Sequence, residues 1–258
     1  MPVDSDERYR APALDKGLDI IELLAGSESA MTQLEISQAL SRTPNEFYRM
    51  LDRLVRRGYV KRGTDDRYEL SLKLFALAHR HVPMRRLVSQ ARPIMEQLAF
   101  ECSQACFIAV YDRGDLNSIF QVDPPGHWGV SVRVGAQMHI SKAASGLVIL
   151  AFVSENDRKR MLSEQKQSLG ETIASDLEER LAEIRTLGYC LMPSRQIVGV
   201  NMLAAPIMGP GNTPIAALTI PQIDRLDAPN SSTSECLPLL LLAARDISAL
   251  FGGIRHQV

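Results

Sequence analysis

Residues 32–68, TQLEISQALSRTPNEFYRMLDRLVRRGYVKRGTDDRY, decide the fold of the N-terminal part of this chain. Thr32 and Glu35 have the spacing of a capping box, which predicts that a helix begins here. Thr43 and Glu46 repeat this spacing a short distance further on, so a second helix is predicted to follow. The stretch therefore predicts two capped helices that are joined by a short turn.

The second of these helices has one apolar side and one polar side. Its apolar residues follow the spacing of a helix with a single buried face: Phe47, Met50, Leu51, Leu54 and Val55. Gly58 ends the helix, and the basic segment 59–70 has the composition of a strand, a turn and a returning strand. A helix pair followed by a basic hairpin predicts a winged helix-turn-helix. The alternative is an ordinary helical hairpin with a solvated charged face, which the two caps and the wing disfavour.

The polar side of the second helix and the hairpin carry the candidate DNA contacts. Arginines and amides are the side chains that bind base edges and phosphates in a major groove. The predicted DNA-binding residues are Arg42, Thr43, Asn45, Tyr48, Arg49, Arg53, Arg62 and Arg67. The net charge of the chain is −1, so the basic character that favours DNA is local.

Bulk properties indicate a globular protein of the cytoplasm. Hydrophobic residues make up 45% of the sequence and charged residues 23%. The start of the chain lacks the apolar core of a signal peptide, and no apolar run has the length of a membrane span. The four cysteines are unevenly spaced, which disfavours a disulfide framework. We therefore expect a reduced, cytoplasmic protein that does not enter a membrane.

The remaining sequence predicts an α+β protein. A first helix is expected at 14–24, and two helices interrupted at Pro83 are expected from 70 to 102. Strands are then predicted at 106–111, 116–122, 130–134, 189–192, 202–208 and 215–220, and helices at 141–153, 176–187 and 234–251. Consecutive hairpins with helices at the ends indicate an antiparallel sheet. The predicted organisation is a disordered tail (1–10), a winged helix-turn-helix domain (11–70), linker helices (71–102) and a second domain (103–258).

The sequence shows no arrangement of catalytic residues. Glycine-rich phosphate loops and the GxSxG nucleophile motif are missing. Segment 163–166 matches S-x-x-K but stands in a polar stretch without the companion motifs of that enzyme class. Cys102 and Cys106 are favoured as core thiols because no histidine follows at ligand spacing. No catalytic residue, cofactor or metal ligand is therefore predicted.

Three stretches together resemble the IclR family of transcriptional regulators. They are RRGYVKRGTDDRYELSLKLFALA (56–78), VGAQMHISKAASGLVILAF (134–152) and GYCLMPSRQIVGVNMLAAPIMGPGNTPIAALTI (188–220). The resemblance implies an N-terminal winged helix-turn-helix and a C-terminal GAF-like domain that binds a small-molecule effector. It also implies a homodimer or homotetramer that binds double-stranded operator DNA, as a repressor or an activator.

The resemblance also implies which residues bind the effector. Gly135 and Ala136 match a loop whose backbone amides cap the effector carboxylate in some members. Thr219 matches a serine of the pocket, whereas Met202 and Met192 replace a cysteine and an acidic residue. Because methionines give an apolar and adaptable wall, we expect a larger organic acid or an aromatic or sugar-derived metabolite.

Two other functions remain as alternatives from the residues themselves. One alternative is a metabolic enzyme with an N-terminal interaction module. The other is an adaptor that binds proteins through its winged helix. The first lacks paired acid and base groups in the C-terminal half. A sequence-specific and salt-dependent interaction with DNA separates the regulator from both.

Overall fold

The computed structural model describes residues 11–78, 82–169, 174–228 and 231–253, and within its helices it does not describe the side chains of 44–46 and 167–169. The predicted tail, 1–10, lies outside the described residues. The chain divides into two compact units between Val82 and Pro83. We call them the N-terminal unit and the C-terminal unit.

The N-terminal unit contains the predicted helices and wing. Its elements are α1 (Pro12–Ala25), β1 (Met31–Thr32), α2 (Gln33–Ala39), α3 (Pro44–Arg56), β2 (Val60–Arg62), β3 (Arg67–Leu70) and α4 (Lys73–Ala78). The first predicted capping box is confirmed, because the Glu35 N–H donates to Thr32 Oγ1 at 3.2 Å and the Thr32 N–H donates to Glu35 Oε2 at 2.7 Å. The second box cannot be compared, since the Glu46 side chain is outside the described residues.

Helices α1, α2 and α3 and the wing share one apolar core. The buried residues of this core include Ile20 of α1, Ile36 of α2, Phe47 and Leu51 of α3, and Val60 of β2. The three short strands pair antiparallel in the order β1-β3-β2. Strand β1 was not predicted, because its two residues are too few to show an alternating pattern. The core holds the outward face of α3 in a fixed orientation.

The C-terminal unit is built on an antiparallel sheet. Its elements are α5 (Val82–Cys102, which begins one residue before the division), β4 (Cys106–Asp112), β5 (Asp115–Val122), β6 (Gln137–His139), α6 (Ala144–Phe152), α7 (Glu155–Leu169), α8 (Leu177–Leu187), β7 (Cys190–Pro193), β8 (Asn201–Met208), β9 (Pro214–Gln222) and α9 (Thr233–Leu250). Among the described residues of this unit, six strands form one sheet in the order β6-β5-β4-β9-β8-β7. No helix within the described ranges is long and apolar enough to cross a membrane.

The sheet separates two apolar cores. One face packs against α5 and α9, and the other face packs against α6 and α8. We call the second the α6/α8 face. Leu218 and Ile220 of β9 belong to the first core, whereas Ala217 belongs to the second. Since side chains alternate along a strand, Thr219 lies on the α6/α8 face.

The predicted strand at 130–134 is wrong. This segment is irregular, and the edge strand β6 begins only at Gln137. The backbone turns at Gly135, where φ is 86°, and pairing with β5 starts after that turn. The alternating valines do not share one buried face, since Val132 packs against the core while Val134 is 61% exposed. Periodicity alone does not distinguish such a loop from a strand.

Helix α7 was missed because its sequence reads as a polar surface segment. In the structure it covers Glu155–Leu169 and buries Met161 and Gln165. Gln165 Nε2 donates to Ser141 Oγ at 2.9 Å, and the Ser141 N–H donates to Gln165 Oε1 at 3.0 Å. A buried amide pairing therefore fixes this helix, and a hydrophobic pattern does not report it.

Candidate DNA interface and ligand site

The outward face of α3 presents arginine side chains that have no partner among the described residues. Arg49 and Arg53 are exposed, and neither has a side-chain hydrogen bond or ion pair with another described residue. Tyr48 is 58% exposed beside them. Because α3 is fixed by its buried face, these groups are held outward without a carboxylate partner among the described residues. This arrangement can bind phosphates or base edges.

The turn before α3 is tied to the rest of the unit. Arg42 forms an ion pair with Asp19 of α1, at 3.3 Å between Nη2 and Oδ2, and its guanidinium lies 6.0 Å from the centre of the Phe47 ring. Thr43 is exposed at the same turn, and the side chain of Asn45 is outside the described residues. Arg42 therefore has a structural contact that Arg49 and Arg53 lack.

The two predicted wing arginines differ in their contacts. Arg62 pairs with Asp66 at the hairpin tip, at 2.8 Å, and the neighbouring Tyr68 and Asp66 raise the pKa of the guanidinium. Arg67 Nη1 donates to the Ala30 carbonyl at 2.9 Å and to Glu35 Oε2 at 3.1 Å. Arg67 thus joins β3 to the loop before β1 and to α2. It therefore has a structural role in addition to its predicted contact with DNA.

Replacing Arg67 with alanine is expected to destabilise the N-terminal unit by about 1 kcal/mol, because the part-buried Ala30 carbonyl loses its donor. We expect a lower urea midpoint for Arg67→Ala than for the wild type, measured by circular dichroism. Arg62→Ala is the control, since its partner Asp66 is exposed and is solvated by water once released. Equal midpoints for the two variants would show that Arg67 has no such structural role.

The predicted effector residues of the sheet lie on one face. Thr219 of β9 stands opposite Ala204 of β8, which stands opposite Cys190 of β7. One step along the strands, Met192 of β7 stands opposite Met202 of β8. Both methionines are partly buried and pack against the core of the α6/α8 face. The structure therefore brings Met192, Met202 and Thr219 together.

Three buried polar atoms on the α6/α8 face have no hydrogen-bond partner within the described chain. They are Thr219 Oγ1, Ser118 Oγ and Gln121 Oε1. Thr219 and Ser118 are 0% and 1% exposed. An unpaired buried polar group costs roughly 1–3 kcal/mol, so such groups favour any ligand or water that can pair with them.

Sequence reasoning missed Ser118 and Gln121. A register shift between Ile108 and Ala109 pairs Gln121 with Phe107 and Ser118 with Ala109. The bulge therefore places residues three apart on the same face, whereas plain alternation would put them on opposite faces. The only signal in the sequence was the presence of polar residues inside an otherwise apolar strand.

The loop at Gly135 and Ala136 lies beside Ser118. The Gly135 N–H donates to the Ser118 carbonyl at 2.7 Å, and the Ala136 N–H donates to the Arg133 carbonyl at 3.1 Å. Gly135 has a φ of 86°, and a side chain added there would meet open space. Both N–H groups are thus occupied, so the capping of a carboxylate that the resemblance implies requires this loop to rearrange.

The cysteines are core residues in the structure. All four are buried, and none of them forms a disulfide bond. Burial raises the pKa of Cys190 to about 11, which keeps its thiol protonated at neutral pH. Within the described ranges, no group of three or more histidine, cysteine, aspartate or glutamate side chains is arranged to hold a metal ion.

A helix-turn-helix unit with exposed arginines, followed by a sheet unit with buried polar groups that lack a partner among the described residues, is the arrangement expected of a DNA-binding transcriptional regulator with a ligand-binding domain. Comparison with known families agrees with this class. The IclR helix-turn-helix domain matches residues 13–63, and the bacterial transcriptional regulator IclR C-terminal domain matches residues 79–249. The chain belongs to the IclR family.

Characterised relatives and solved structures extend over nearly the whole chain. The transcriptional repressor IclR of Escherichia coli is 24% identical over 251 residues, which cover 94% of this chain and 91% of that protein. The regulator KdgR of Escherichia coli is 28% identical over 232 residues, which cover 88% of this chain and 88% of that protein. An IclR homologue from Microbacterium hydrocarbonoxydans, solved in complex with 4-hydroxybenzoate, has a TM-score of 0.74 at 22% identity and covers 92% of this chain and 98% of its own.

Proposed function

We propose that this protein binds a palindromic operator through α3 and that a small-molecule effector on the α6/α8 face changes its affinity for that operator. The observation that carries the proposal is the pair Arg49 and Arg53, which are exposed on α3 and have no partner among the described residues. Cations that the fold leaves unpaired are available to phosphates and base edges.

Reading of the operator requires two copies of the chain. One helix per subunit contacts one half-site, so a two-fold dimer is needed, with half-sites separated by about 34 Å. Large apolar side chains on α1, on α4 and at the residue before α4 are exposed, which supports such a dimer: Leu14 (61% exposed), Leu18 (46%), Leu72 (75%), Phe75 (62%) and Leu77 (42%). Helix α4 buries none of its residues within the described chain. A second copy that covers these residues removes apolar surface from water. We propose a homodimer or a homotetramer in which two subunits contact one palindrome.

The effector part of the proposal rests on the chemistry of the α6/α8 face. Thr219 offers a hydroxyl without a partner, and Met192 and Met202 form an apolar wall next to it. A GAF-like domain with this lining suits an organic acid with an apolar or aromatic body. The 4-hydroxybenzoate complex of the Microbacterium hydrocarbonoxydans homologue is one such case in the same fold.

Differential binding is what would make such a ligand an effector. A ligand changes operator affinity only if it binds the DNA-competent and DNA-incompetent states unequally. The chain from α4 through α5 links the two units in sequence, and it is the segment through which we propose the change is transmitted. Repression and activation are both compatible with this scheme.

The test is a titration of the purified protein against its own upstream intergenic DNA over a salt series. We expect sequence-specific binding whose logarithm falls linearly with the logarithm of salt concentration, because each phosphate contact releases counterions. Light scattering of the complex should show two subunits per palindrome. A monomer on a single non-palindromic site, or salt-independent binding without sequence preference, would contradict the proposal and favour a protein-docking role.

A further inference from the structure

Arg180 of α8 has an unusual partner. Its Nη2 donates to the sulfur of Met192 at 3.6 Å, and this is its only hydrogen bond or ion pair among the described residues. A thioether is a weak acceptor, so the contact leaves most of the hydrogen-bonding capacity of the guanidinium unused. The side chain is half-buried at the edge of the α6/α8 face.

Two other half-buried arginines of the C-terminal unit are paired with carboxylates. Arg158 pairs with Glu178 at 3.3 Å, and Arg225 pairs with Asp227 at 2.7 Å. Glu183 lies one turn along α8 from Arg180 but forms no ion pair with it in the described structure. Arg180 therefore has positive charge near an apolar wall without a compensating carboxylate among the described residues, which favours the binding of an anion.

The position of Arg180 continues the row of effector residues. Met192, its partner, stands opposite Met202 on the neighbouring strand, and Thr219 lies on the next strand beyond. Two strand spacings separate β7 from β9, which is about 10 Å. A molecule with a carboxylate at one end and a hydroxyl or carbonyl oxygen at the other spans this distance over the two methionines.

We propose that Arg180 binds the carboxylate of the effector and that Thr219 pairs with a polar group at the opposite end of the same molecule. The inference rests on the proposed function, in which this face receives the effector. A side chain is proposed to bind the carboxylate because the Gly135 and Ala136 N–H groups already donate to backbone carbonyls. The effector is thus a monocarboxylate with an apolar or aromatic body and a distal oxygen.

The experiment compares carboxylates with their uncharged amides on the full-length protein. The probes are pyruvate and pyruvamide, phenylacetate and phenylacetamide, and 4-hydroxybenzoate and 4-hydroxybenzamide, each measured by thermal shift and by calorimetric titration. We expect 4-hydroxybenzoate to bind more tightly than 4-hydroxybenzamide and more tightly than the two shorter or singly polar acids. Arg180→Gln should weaken 4-hydroxybenzoate binding on the order of 10- to 100-fold, since a charge-assisted hydrogen bond is lost, and should leave the amide unchanged.

Arg185→Gln is the matched control, because Arg185 is exposed on the same helix and the variant removes the same charge. Arg180→Lys should restore part of the preference for the acid. The proposal is overturned if acids and amides bind alike, if no acid binds, or if Arg180→Gln and Arg185→Gln behave alike. Operator binding without ligand is measured on the same variants. If the wild type did not bind the operator, the proposed function would be contradicted. Normal operator binding with no preference for acids over amides would contradict only the role of Arg180.

Discussion

Substituting Arg49 with alanine is expected to weaken operator binding on the order of 5- to 150-fold, which corresponds to the roughly 1–3 kcal/mol of one good base contact. Binding to unrelated DNA of the same length should change much less, because phosphate contacts dominate non-specific affinity. The specificity ratio should therefore fall. Competitive titration with operator and non-operator fragments at one salt concentration measures it.

The physical reason lies in the neighbours of Arg49. It extends from a helix whose opposite face is held by Phe47 and Leu51, which are 1% and 2% exposed. The side chain has no partner in the described protein, so truncation removes the proposed DNA contact without leaving a described carboxylate unpaired. Loss of affinity can then be attributed to the DNA contact and not to a damaged fold.

Arg56→Ala is the matched control on the same helix. Arg56 is paired with Asp52, at 2.9 Å between Nε and Oδ2, so its charge is partly neutralised. We expect it to reduce operator and non-operator binding by similar small factors. If Arg49→Ala left operator affinity at the wild-type value, α3 would not be the element that contacts the bases.

The N-terminal unit was predictable because its signals are local. Capping residues, a helical apolar stripe and turn residues act within a few positions of one another, and Thr32 and Glu35 form the box that their spacing predicts. The partners of Arg67 were not predictable, since Ala30 and Glu35 are brought to it by pairing of β1 with β3. The sequence alone does not distinguish a basic wing residue that binds DNA from one that stabilises the fold.

The candidate ligand site shows a similar limit. The family resemblance suggested Met192, Met202 and Thr219, and strand pairing places them on one face. The same resemblance did not point to Ser118, Gln121 or Arg180. The first two depend on a β-bulge, and the third depends on the packing of α8 against β7. Non-local geometry of this kind leaves no spacing pattern in the sequence.

Gly146→Ala is expected to destabilise the C-terminal unit strongly. Gly146 lies in α6, which packs on β8 and β9 over Thr219, and an added Cβ would stand 2.1 Å from the Ile140 carbonyl oxygen and 2.6 Å from its Cα. Backbone atoms cannot turn away as a flexible side chain does, so α6 and the segment at Ile140 must shift apart. We expect a loss of about 3 kcal/mol or more, at the upper end of overpacking effects, measured by urea unfolding and calorimetry.

Gly17→Ala provides the control for this prediction. Gly17 is within α1, and an added Cβ meets nothing within 4 Å. Alanine is the better helix former, so this variant should be more stable by roughly 0.5–1 kcal/mol. The same methyl group is therefore expected to act with opposite sign at the two positions. If Gly146→Ala unfolded at the wild-type urea concentration, α6 would have room to move at Ile140, and the close packing that fixes the α6/α8 face would not be a requirement of the fold.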